Sequence, residues 1–153
     1  MTGVGVALRV ALALSLAACS RGPAQPSAVD TRYDSCASCR MAVSDARFAA
    51  QLAAPGEEPR FFDDIGCLRD YLEAKPRLSR GSVAFVADHR TREWVRASRA
   101  LFTHRESLLT PMSSHLVAHA SPTSRDGDPV AAGGTPRPAS EVFGPEGPPD
   151  GTP

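Results

Sequence analysis

The chain has 153 residues, enough for one domain of ordinary size. Seventeen Lys and Arg balance seventeen Asp and Glu, so the formal charge is zero. No field of one sign exists to draw in nucleic acid or an acidic membrane, and no basic run is interleaved with aromatics, so nucleic-acid binding is discounted.

Val10 to Ala18 is an apolar run broken only by Ser15, with Arg9 just before it. The run is too short to cross a bilayer as a helix and reads as the core of an export signal. It ends in Leu16-Ala17-Ala18-Cys19, the form of a bacterial lipobox. That form predicts removal of residues 1–18 and acylation of Cys19, where each buried CH₂ adds roughly 0.8 kcal/mol of membrane affinity. An ordinary secretory signal with a chance cysteine is the plainer alternative. The small residues and the cysteine coincide with the end of the apolar run, which favours the lipobox. Ser20, not Asp, follows the cysteine. By resemblance to enteric lipoproteins this favours the outer membrane, with the domain facing the periplasm.

Residues 19–32 contain Gly22, Pro23 and Pro26 and read as a flexible tether. The folded domain is expected over 33–120. Residues 121–153 hold eight of the fourteen prolines and six of the twelve glycines, with few large apolar side chains. That composition predicts a disordered tail, with Val142-Phe143 as its one docking point. A folded part under ninety residues would be marginal, and dimerisation or a metal would add to it.

Within 33–120 the pattern is β-rich with one clear helix. Phe48 to Ala53 reads as a strand, Ala54 to Glu58 as a turn, and Pro59 to Phe62 as the hairpin partner. Asp63 or Asp64 caps a helix from Ile65 to about Ala74, with Ile65, Leu68 and Leu72 on one apolar face. Ser82 to Asp88 alternates Val83, Phe85 and Ala87 and reads as a strand. His89 to Arg92 turns it into Glu93 to Ala97. Leu101 and Phe102 add core, and Leu116-Val117-Ala118 is a last strand.

Past the leader three cysteines remain, Cys36, Cys39 and Cys67. In an oxidising compartment structural cysteines usually pair, so an odd count leaves one thiol needing another role. Cys36-Ala37-Ser38-Cys39-Arg40-Met41 is the strongest motif. Two thiols three positions apart can converge on one atom from a tight turn. A nearby thioether tilts the choice towards Cu(I), because soft sulfur ligands select soft ions and zinc rarely takes methionine. A structural disulfide and a redox pair stay open. Thioredoxin-like chemistry wants the pair at a helix N-terminus after a buried strand, and here it follows a proline-bearing segment. Met112 lies at the mouth of a loop in Thr110-Pro111-Met112, with core filler as its plainer role. Cys67 would be the third residue of the helix and is read first as buried core, then as a ligand or disulfide partner. His89 and His104 are read as solvated turn residues. His115 is a further candidate ligand and would share a face with His119. No nucleophilic triad, phosphate-cradling loop or acid/base carboxylate pair is present, so no catalytic residue is expected.

These residues resemble, in order, the NosL family of copper-binding lipoproteins that assist nitrous oxide reductase maturation. The matching stretches are the lipobox at Cys19, Cys36 to Met41, Asp45 to Gln51, Phe62 to Leu68, Asp88 with Thr91 to Trp94, and Thr110-Pro111-Met112. They cover about residues 33–120. The resemblance implies a small α+β domain of ββαβ-type units, with one clear helix at about 64–75, that binds one Cu(I). It implies Cys39, Met41 and Met112 as the ligands, with Cys36, Cys67 and His115 less firmly placed. It also implies copper delivery to an ABC-transporter-linked assembly machinery or to the reductase itself. Arg40 stands where the family commonly has glycine, and the Pro/Gly-rich tail begins where relatives continue with a helix, which predicts a truncated second unit. A thiol–disulfide protein and a metal-free structural adaptor are the rival expectations.

Overall fold

The computed structural model describes residues 22–74 and 76–151. The lipobox with Cys19 lies outside them. Asp64 decides the first strand-to-helix switch. Its backbone is extended (φ −149°), and its carboxylate accepts from Gly66 N at 2.7 Å. That bond satisfies one of the orphan N–H groups that open every helix. The helix then buries Ile65, Cys67 and Leu68.

The elements in chain order are β1 (Ala50–Ala53), β2 (Arg60–Phe62), α1 (Ile65–Glu73), β3 (Val83–Ala87), β4 (Trp94–Arg96), β5 (Leu101–His104), β6 (Leu116–His119), α2 (Pro122–Asp126), β7 (Thr135–Arg137) and α3 (Ala139–Phe143). Two antiparallel sheets form, in the orders β2-β1-β3-β4 and β6-β5-β7. The expected ββαβ architecture is present twice, as β1-β2-α1-β3 and β5-β6-α2-β7. In each unit the first strand is central. Ala50 pairs with Phe62 and Val86 in the first sheet, and Phe102 pairs with Ala118 and Arg137 in the second. Both units feed one core containing Leu52, Phe62, Ile65, Leu68, Phe102 and Phe143. Each such side chain contributes roughly 1.5–3 kcal/mol on burial.

Three expectations are corrected. The tail is not disordered: it supplies α2, β7 and α3. Val142 and Phe143 join the main core, and the Phe143 ring meets Phe102 edge-on at 5.6 Å. Farther on, Ala84 N donates to Pro149 O at 2.8 Å and Gly151 N to Ser82 O at 2.9 Å. Composition misleads here because order comes from backbone pairing on β5 and β3, which needs few apolar side chains. The second unit is therefore not truncated, although its helix has only five residues. Residues 22–32 do not hang free either. Ala24 is buried beside Ala53, Val83 and Phe85, and the fully buried Gln51 exchanges two hydrogen bonds with Ser27, at 2.9 and 3.0 Å. Leu101 and Phe102, expected only as core, begin the central strand of the second sheet.

Candidate metal centre

The loop from Ser35 to Ala42 closes on itself through a bridge between those two residues. Cys36 N donates to Met41 O at 2.7 Å, and Arg40 N donates to Cys36 O at 3.0 Å. Closure requires Arg40 to take φ 68°, the left-handed region that glycine would enter without strain. Ala37 N donates to Phe61 O at 2.8 Å, which pins the loop to β2 beside the start of α1.

This placement brings the thiols of Cys36, Cys39 and Cys67 together. All three are free, and their sulfur atoms lie within 4.8 Å of one another. Thiolates sharing one ion at about 2.3 Å sit near 4 Å apart, so a small contraction suffices. The group could hold a metal ion. Cys36 and Cys67 are buried, while Cys39 is half-buried and offers the opening to solvent.

The electrostatics single out Cys36. Burial pushes its thiol up, but backbone N–H groups of Asp63, Cys39 and Ser38 aimed at the sulfur outweigh this and bring it below the ordinary value. Burial raises Cys39, and the neighbouring Cys36 raises it further against the N–H of Met41. Cys67 is pushed strongly up, by burial first and then by the charge of Cys36. Of the three, Cys36 is the thiol that gives up its proton most readily.

The second unit repeats the same loop with different side chains. Asp88 N donates to Glu93 O at 2.8 Å, Arg92 N to Asp88 O at 2.7 Å, and His89 N to Ala118 O at 2.9 Å. Arg92 takes φ 64°, as Arg40 takes 68°. Asp88 thus stands where Cys36 stands. Its carboxylate accepts from Arg90 N, Thr91 N, Ala120 N and Ser124 Oγ, at 2.7–3.0 Å. Burial works against that charge, and these donors overcome it and hold Asp88 below its ordinary range. The socket is therefore built for an anion in both halves: carboxylate in one, thiolate in the other.

The other candidates fall as follows. Met41 and Met112 are both exposed, at 57% and 41%, so neither fills core. Met112 N donates to Asp64 Oδ2 at 3.0 Å, which docks the Thr110–Ser114 turn against the helix that carries Cys67. His115 joins no ligand cluster among the described residues, and its Nδ1 bonds to Leu108 O at 2.7 Å. Asp64 is the helix cap, while Asp63 accepts from Ser44 N and Oγ.

A second cluster escaped the sequence reading. His89, His119 and Asp128 converge within 4.8 Å. His89 was expected to be solvated; it is 5% exposed, because the chain after β3 turns inward beneath β6. Asp128 lies in the segment expected to be disordered, so no spacing signal connected the three. No protein-family model, curated protein or solved structure matches this chain.

Proposed function

We propose that this chain is a Cu(I) carrier, an exported lipoprotein held through Cys19 that supplies copper for nitrous oxide reductase maturation. One observation carries the metal reading: three thiols converge beside a socket that stabilises a thiolate. Thiolate and thioether ligands favour a soft monovalent ion. Cys36 and Cys39 would bind first. Cys67 loses its proton only when an ion offsets the cost of burial, so it acts as a latch. Exposed Met41 and Met112 would complete the shell and give way when a partner's sulfur or imidazole attacks. The receiving partner is the ABC-transporter-linked assembly machinery or the reductase, and no catalytic step is assigned.

The thiol–disulfide alternative has less support. A reactive thiolate must reach a substrate disulfide, whereas the thiol lowered here is 1% exposed. The test is anaerobic Cu(I) titration of the domain. We expect saturation near one equivalent and its loss in both Cys36→Ser and Cys39→Ala. Full retention in both variants would sink the assignment.

A further inference from the structure

His89 follows β3, His119 closes β6 and Asp128 follows α2, so three separate elements meet at one point. Asp128 Oδ2 lies 2.6 Å from His89 Nδ1 and 3.1 Å from His119 Nε2. The three residues are 5%, 0% and 6% exposed. Asp128 Oδ1 is separately held by Val130 N at 2.9 Å, which fixes the carboxylate plane.

A plain hydrogen-bond hub accounts for part of this. Two imidazole N–H groups would share one carboxylate oxygen. That arrangement leaves His119 Nδ1 buried with no partner among the described residues. A cation at the meeting point uses the same atoms differently. Each neutral ring keeps one proton but moves it, to Nε2 of His89 and to Nδ1 of His119, and offers the freed nitrogen to the ion. The idle nitrogen of His119 becomes the protonated one and still has no acceptor among the described residues, so what favours an ion is the convergence of three buried donor atoms within 4.8 Å. Two imidazole nitrogens and a carboxylate oxygen are a zinc-type donor set, unlike the sulfur cluster.

We propose that His89, His119 and Asp128 form a second metal site, which takes a divalent ion of the zinc class through two nitrogens and one oxygen. Asp128 also lines a surface cavity of about 310 Å³ with Thr103, Arg125 and Gly134. The nearby Arg47 guanidinium pairs with Asp45 at 2.6 Å and also feels the charge of Asp128. No acceptor stands behind His119 Nδ1 among the described residues, so the outer partner that usually sharpens such a ligand is missing. Affinity is set below that of a fully supported site. The site shares no residue with the cysteine cluster and stands or falls independently of copper carriage.

The test uses the chain with Cys36→Ser, Cys39→Ser and Cys67→Ser together, titrated anaerobically with Zn(II) while histidine ring NMR signals are followed. The expected result is one bound Zn(II) that shifts His89 and His119 and leaves His104 and His115 in place. Asp128→Asn in that background should weaken binding by more than the roughly 10–100-fold that an outer partner is worth. If the triple variant does not fold, the unmodified chain is titrated with Co(II). A second equivalent lacking the sulfur-to-cobalt charge-transfer band then supports the site, and its absence overturns it. Zn(II) that leaves His89 and His119 unmoved, or shifts His104 and His115 instead, also overturns it. Failure of Cu(I) to bind the thiols would change none of these readings.

Discussion

Cys67 and Ser124 hold the same post in the two ββαβ units. Each is the third residue of its helix, and each faces the residue that opens the preceding loop: Cys67 Sγ lies within 4.8 Å of Cys36 Sγ, and Ser124 Oγ donates to Asp88 Oδ1 at 2.9 Å. Ser124→Ala should therefore cost about 1.5–3 kcal/mol, the usual worth of a hydrogen bond to a buried charge. Ser124→Cys should recover part of it. Urea unfolding measures both, and a neutral Ser124→Ala would mean that Asp88 does not depend on this donor.

Asp128 makes stability depend on acid. Burial opposes its charge, but bonds from His89, Val130 N and His119 bring the carboxyl down to about 2 from its ordinary 3.8. The unfolded chain therefore takes up this proton first as pH falls. The contribution is fully present above the unfolded value and drains away between about pH 4 and pH 2, at about 2 kcal/mol in all. Asp128→Asn should flatten that limb of a pH-resolved unfolding series. An unchanged limb would assign acid sensitivity elsewhere.

Arg40 sits at φ 68° and is exposed, so its side chain gives the loop little in return for the strain. A left-handed residue costs roughly 1–2 kcal/mol, and glycine gives back roughly 0.5–1 in chain entropy. Arg40→Gly should gain up to about 1 kcal/mol, or about 2–4 °C in Tm. Thermal melting decides it, and a loss would show that the guanidinium makes a stabilising contact.

The first unit was largely legible in the sequence. Alternation of Val83, Phe85 and Ala87, the apolar face of Ile65, Leu68 and Leu72, and the Asp64 cap are local signals, and β1 to β4 with α1 follow from them. The Cys36–Met41 loop was legible for the same reason. Cys67 was ranked as buried core, and it is buried, yet its sulfur also faces the pair. What stayed hidden depends on pairing between distant segments. Thr135–Arg137 is fully exposed and carries a proline, and it becomes a strand only because β5 offers a free edge. With that segment unread, Asp128 had no visible partners.

The order of the C-terminal segment can be tested through one ring. Phe143 packs edge-on against Phe102 within the main core, at 8% exposure. Phe143→Ala should cost about 3–5 kcal/mol. Limited proteolysis should then cut within 121–151, where the unmodified chain resists. Early cleavage of the unmodified chain would contradict the packing.

Met41→Leu and Met112→Leu should separate binding from stability. Both positions are exposed, so loss of the thioether should shift stability by less than about 0.5 kcal/mol. Cu(I) affinity should fall in each variant, read by competition with a colorimetric chelator. Unaltered affinity in both would remove the methionines from the ligand set.

The repeated loop gives the molecule an internal control that a designer would otherwise have to build. The two halves present the same backbone donors around one socket, with sulfur at Cys36, Cys39 and Cys67 and oxygen at Asp88, Thr91 and Ser124. Any selectivity for a soft ion that appears in the first half and not in the second belongs to the side-chain donors, methionine included, and not to the shape of the chain. Converting Asp88, Thr91 and Ser124 to cysteine would put that separation to use, as a transplant within a single polypeptide.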